Sequence, residues 1–167
     1  MMTTVHFYTF LPYEDPSEGE MGRFELAEEG VPLNIYIDNA GDYPDLKECD
    51  GEVQIYGVAQ GLKHFKTEAE YAASGSHMAV QSMIPSGTFA TPSHAENFEQ
   101  SPTIIYSGIV KSVDTNPGAS ENEPNYFLEI ETYGMTFYLY AHTEEEISVG
   151  DIVSGGAWIY GDLKVTA

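Results

Sequence analysis

Residues 125–142 read NYFLEIETYGMTFYLYAH. In the first half, Leu128 and Ile130 fall on one face and Glu129 and Glu131 on the other, the period of two of a half-buried strand. Tyr133-Gly134 supplies a two-residue turn. The alternation then resumes, with Met135, Phe137, Leu139 and Ala141 on one face and Thr136, Tyr138, Tyr140 and His142 on the other. Two alternating runs around a glycine turn predict a β-hairpin. Its apolar face is suited to a core. Its other face mixes aromatic rings with acids.

The flanks extend the β reading. Upstream, residues 103–114 (TIIYSGIVKSVD) form a β-rich run with a glycine in mid-strand, followed by a long turn from Asn116-Pro117-Gly118 to Glu123-Pro124. Downstream, Thr143-Glu144-Glu145-Glu146 is an acidic connector, and residues 151–163 (DIVSGGAWIYGDL) return as a strand with glycines where a small barrel would bend. Glycine-bent strand, hairpin, short connector and glycine-rich strand, in that order, resemble the OB-fold, a small Greek-key barrel. The resemblance covers the C-terminal third, concerns the fold alone, and names no functional family. It implies five strands. Too few residues follow Leu163 to supply the fifth, which is expected from elsewhere in the chain or absent. Residues 79–89 (AVQSMIPSGTF), interrupted at Pro85, are the candidate.

Sliding the chain by 104 positions brings Ile55-Tyr56-Gly57 onto Ile159-Tyr160-Gly161, Gly30 onto Gly134, Tyr36 onto Tyr140 and Glu25 onto Glu129. FELAEEGVPLNIYI then reads as a second hairpin and EVQIYGVA as its following strand, with TTVHFYTFLPYE leading. The expected fold class is therefore all-β with minor α: OB-like Greek-key barrel elements, read as two related copies, with one composite domain as the alternative. An N-terminal module spans 1–60, a linker segment 61–102, and a C-terminal module 103–167. Within the linker, Thr67-Glu68-Ala69-Glu70 is a capping box, and with Gly75 as a stop it predicts a short helix over 67–74. Residues 91–102 are polar and punctuated by proline, hence a loop.

Charge removes whole classes of function. Asp and Glu number 27 against 6 Lys and Arg, a formal net charge of −21 on 167 residues. Neutralising nucleic-acid phosphates needs clustered Lys and Arg, and an anionic membrane repels such a chain, so neither is expected as a partner. Apolar content of 42% still predicts a packed core. Cys49, the single cysteine, lies between Glu48 and Asp50, a setting that disfavours a reactive thiolate. No basic leader and no long apolar run mark a targeting or spanning segment, so a cytoplasmic protein is the expectation.

Catalytic and metal motifs are sparse. His6, His64, His77, His94 and His142 are scattered without zinc-ligand spacing, although His64 and His77 flank the short helix. Asp38, Asp42 and Asp45 share the loop DNAGDYPD and form the calcium candidate, but the spacing is not that of an EF-hand. Turn-forming Asp and Asn side chains that bond their own backbone are the favoured reading of the loop. G-x-S-x-G and the phosphate-binding G-x-x-x-x-G-K-[ST] are both missing, so no catalytic residue and no cofactor is assigned. The candidate ligand face is the outward side of the hairpin: Phe127, Glu129, Glu131, Tyr138, Tyr140 and His142. The same face could pack against the other module through Tyr36. The leading expectation is a non-enzymatic acidic module docking a basic protein partner. Binding of a small molecule or carbohydrate through the aromatic face is the alternative.

Overall fold

A computed structural model describes residues 2–13, 19–89 and 99–166. Residues 90–98, on which most of the expected loop falls, lie outside the described part. The described chain is nearly all β: β1 (Thr3–Leu11), β2 (Glu20–Leu26), β3 (Pro32–Ile37), β4 (Cys49–Phe65), β5 (Ser82–Ile84), β6 (Thr103–Thr115), β7 (Tyr126–Thr132), β8 (Met135–Ala141) and β9 (Ile152–Val165), with one helix, α1 (Glu68–Ala73). The helix starts where the capping box predicts. The Thr67 hydroxyl accepts the Glu70 N–H at 3.1 Å, and the Glu70 carboxylate reaches back to the Lys66 N–H at 2.8 Å.

Two compact units emerge, each discontinuous in sequence. The first takes the described residues of Met1–Ile55, Pro85–Ile104 and Ile159–Ala167, and the second takes Tyr56–Ile84 and Ile105–Trp158. The long strands β4 and β9 therefore each contribute to both.

In the first unit β1 pairs antiparallel with β2 through a bulge between Phe7 and Thr9, and β2 pairs antiparallel with β3. Residues 49–53 of β4 run antiparallel to β1, with Thr3 opposite Val53 and Phe7 opposite Cys49. β3 pairs in parallel with the end of β9, Tyr36 opposite Tyr160 and Ile37 opposite Gly161. β9 is also the neighbour of β4, which closes a ring of five strands. The closure is tight at Gly161, where a Cβ would collide with the Gln54 carbonyl. Inward residues such as Val5, Phe7, Phe24, Leu33, Ile35 and Val53 have no exposed surface. On the opposite face of β3, Asn34 pairs with Arg23. Asn34 is 1% exposed and donates to the Gly87 and Ser101 carbonyls and the Gln100 side chain, while its oxygen accepts from Arg23 at 2.7 Å.

The second unit repeats the plan. β6 pairs antiparallel with β7 through a bulge between Val110 and Ser112, and the β7–β8 hairpin closes at Thr132 opposite Met135, with Gly134 at φ 82°. β8 pairs in parallel with β4, Tyr56 opposite Tyr138 and Val58 opposite Tyr140. β9 lies beside β6, where Val110 exchanges backbone bonds with Gly150 and Asp151. Gly155 brings β9 against the Gly61 carbonyl of β4. The fifth strand of this ring is thus residues 56–65, not the 79–89 segment. From that segment only β5 forms, adding three residues to the edge of β6 with Met83 opposite Tyr106. Pro85 limits it, because proline cannot supply a ladder N–H.

Candidate functional site

The outward face of the second unit is organised in rows across its strands. Asp114 of β6 stands opposite Phe127 of β7, which stands opposite Tyr140 of β8. One step along, Ser112, Glu129, Tyr138 and Tyr56 make the next row over β6, β7, β8 and β4. Directly paired residues project from the same face with Cβ atoms about 4.5–5.5 Å apart. The hairpin register therefore builds a continuous aromatic patch edged by acids. Phe127 and Tyr138 stack with centroids 5.4 Å apart and planes 12° from parallel. Tyr140 leans on Phe127 at 4.8 Å and Tyr56 on Tyr138 at 5.7 Å. The Tyr138 hydroxyl donates to Glu129 at 3.4 Å; burial first, and then the Glu129 charge, raise its pKa above the ordinary tyrosine value.

Of the six residues expected on this face, Phe127, Glu129, Tyr138 and Tyr140 are brought together. Glu131 is one row further, where Lys111 lies 3.9 Å from its carboxylate. His142 is exposed at the end of β8, and its Nδ1 meets the Glu123 carbonyl at 2.7 Å. Tyr36 is buried, with its ring against Tyr13.

Next to the Asp114–Phe127–Tyr140 row the turn between β6 and β7 encloses a cleft of about 300 Å³, walled by these three residues with Asn116, Glu123 and Asn125. Among the described residues that line it there is no Lys, Arg or His. The turn is tied at its base: Asn116 N–H donates to the Asn125 carbonyl, and the Asn125 side chain exchanges two bonds with the Thr143 backbone. The Ser120 hydroxyl donates to the Glu123 carboxylate at 2.9 Å.

A second cluster in the same unit has no counterpart in the sequence reading. His64 of β4 places Nε2 2.6 Å from Asp151 and Nδ1 3.1 Å from Glu145. Lys66 Nζ and the Ser148 N–H also reach Asp151 Oδ2, at 2.8 and 2.9 Å. Burial pushes the Asp151 carboxyl up, but the bonds from Lys66, His64 and Ser148 outweigh it and hold the group below the ordinary range. Both imidazole nitrogens face carboxylates, which leaves none to activate a nucleophile. His64 thus meets residues 81 and 87 positions away rather than His77, a pairing that no local spacing announces.

In the first unit His6 is similarly held, Nδ1 2.6 Å from Asp50 and Nε2 2.8 Å from Glu48, and these bonds raise its pKa. Cys49 is half-buried, and burial followed by the Asp50 charge raises its thiol pKa. Asp38, Asp42 and Asp45 are not grouped as a metal site. Their loop is held by Asn39, which exchanges two bonds with the Leu163 backbone. Among the described residues no three His, Cys, Asp or Glu side chains are grouped to hold a metal ion, and no helix is long and apolar enough to cross a membrane.

The chain matches no family model, no curated protein and no solved structure. Aromatic faces attract cations, and flanking carboxylates add charge of the same sense. The outward β7–β8 face combines both, the Phe127, Tyr138 and Tyr140 rings with the Asp114 and Glu129 carboxylates.

Proposed function

We propose that this protein is a non-enzymatic binding module whose acidic surface docks a basic protein partner, with the outward β7–β8 face as the contact. The observation that carries the reading is the Phe127–Tyr138–Tyr140 ring cluster with Asp114 and Glu129 in the same rows, on a chain of net charge −21. Single-sign charge steers a basic partner, and aromatic rings supply contact area at low entropic cost. A neutral sugar resting on the aromatic face is the second reading, favoured by the clustering of the Phe127, Tyr138 and Tyr140 rings.

One titration separates the two. Binding of a fluorescent Lys- and Arg-containing peptide is measured at about 50 and 500 mM NaCl, across which the Debye length falls about threefold. Docking by charge predicts at least a tenfold loss of affinity at the higher salt. Affinity unchanged by salt would remove charge from the account and leave the sugar reading.

The two units share a strand plan. Each has an antiparallel trio with a bulge in its first strand and a glycine at positive φ in its hairpin turn, Gly30 at 68° and Gly134 at 82°. We read them as related copies in which the first hairpin turn is two residues longer, since Leu26 bonds Val31 where Thr132 faces Met135.

A further inference from the structure

We infer that the cleft beside Phe127 and Tyr140 is the subsite for one arginine side chain of the partner, which rests on the docking reading and gives it an anchor. Its walls have the two features that a guanidinium uses. The Phe127 and Tyr140 rings offer aromatic surface, and the carboxylates of Asp114 and Glu123 offer acceptors, with no cationic side chain among the described lining residues. Asp114 is the direct cross-strand neighbour of Phe127. A guanidinium lying against the part of that ring that lines the cleft therefore has an acceptor one strand away, within the Cβ spacing of about 4.5–5.5 Å of paired strands.

The site is prepared before a ligand arrives. Phe127 is fixed from one side by Tyr138 at 5.4 Å and from another by Tyr140 at 4.8 Å. Glu123 is held at its carboxylate by Ser120 and at its carbonyl by His142. Groups already ordered lose less entropy on binding. The volume of about 300 Å³ is at the lower limit of small-ligand sites, which suits a single side chain.

Arginine fits better than lysine for a stated reason. The planar guanidinium stacks on a ring while its fork of five donors reaches carboxylates at the rim, whereas an ammonium is a compact, strongly hydrated charge that does not stack. The subsite therefore confers a preference between peptides of equal charge, which net charge alone cannot.

The test uses the full chain and two peptides of equal charge: an octapeptide of Lys and Gly with one central Arg, and the same peptide with Lys at that position. Affinities are measured at about 50 mM NaCl for the wild type, for Asp114→Asn with Glu123→Gln, and for Asp42→Asn with Asp45→Asn, which removes two charges from an exposed loop of the first unit. The wild type should prefer the Arg peptide about fivefold. The cleft variant should lose that preference, and the loop variant should keep it while binding both peptides more weakly. Equal affinity of the wild type for both peptides, or a preference that survives in the cleft variant, overturns the subsite while leaving charge docking intact. Failure of both peptides to bind the wild type overturns the subsite and the docking reading together.

Discussion

Asp151 collects three donors in the second unit. Its side chain is 7% exposed, and a single oxygen accepts from His64, Lys66 and the Ser148 backbone. Removing one partner of a buried ionic group costs far more than the group's net contribution, because the others lose their counter-charge. Asp151→Ala should therefore lower stability by about 3 kcal/mol in urea denaturation, since Lys66 remains partly solvated. The pH dependence has a definite sign. A carboxyl whose folded pKa lies below its unfolded value stabilises the protein above the unfolded pKa, and that contribution fades as pH falls through the lowered folded value. The wild type should thus lose part of its margin over Asp151→Ala in strong acid. A margin that stays constant down to about pH 2 would show that the cluster contributes no linkage. None of this was legible in the sequence. Asp151 sits in an ordinary Gly-Asp turn, and its partners are brought to it by strand pairing across 85 and 87 positions.

At the scale of elements, local pattern carried a great deal. Alternation placed Leu128, Ile130, Phe137 and Leu139 in the core and Phe127, Tyr138 and Tyr140 outside, and the capping box placed α1. What alternation does not encode is register between distant strands. Tyr56 enters the aromatic patch only because β4 pairs in parallel with β8, and Asp114 enters the cleft wall only through the β6–β7 register. The source of the fifth strand was hidden for the same reason, because an alternating run such as residues 49–65 carries no mark of where it passes from one ring to another. Glycines show where the strands close. A methyl at Gly161 would meet the Gln54 carbonyl and the Val53 side chain, and backbone cannot yield as a flexible side chain can. Gly161→Ala should cost about 1–3 kcal/mol by overpacking, read from the chemical-denaturation midpoint. Gly41→Ala, with nothing within 4 Å of the added carbon, should stay near wild type. Equal effects of the two would mean that the β4–β9 approach is not the constraint.

For the whole molecule the governing quantity is the net charge of −21. Like charges on a folded chain repel across distances comparable to the Debye length, about 10 Å at 0.1 M salt, and the unfolded chain relieves that repulsion by expanding. Added salt screens the folded state more than the unfolded one, so stability should rise with ionic strength. The same ions screen attraction to a basic peptide, so affinity should fall as stability rises. This opposition is diagnostic, because a salt effect on hydration would strengthen hydrophobic packing irrespective of protein charge. NaCl is therefore the probe, since sulfate would mix the two effects. The melting temperature should climb by several degrees between about 20 and 300 mM NaCl, most steeply at the low end where the Debye length changes fastest. A flat curve over that range would mean that the acids are too dispersed to repel. The docking proposal would then lose the long-range field it relies on, and the aromatic cleft would have to recruit its ligand by contact alone.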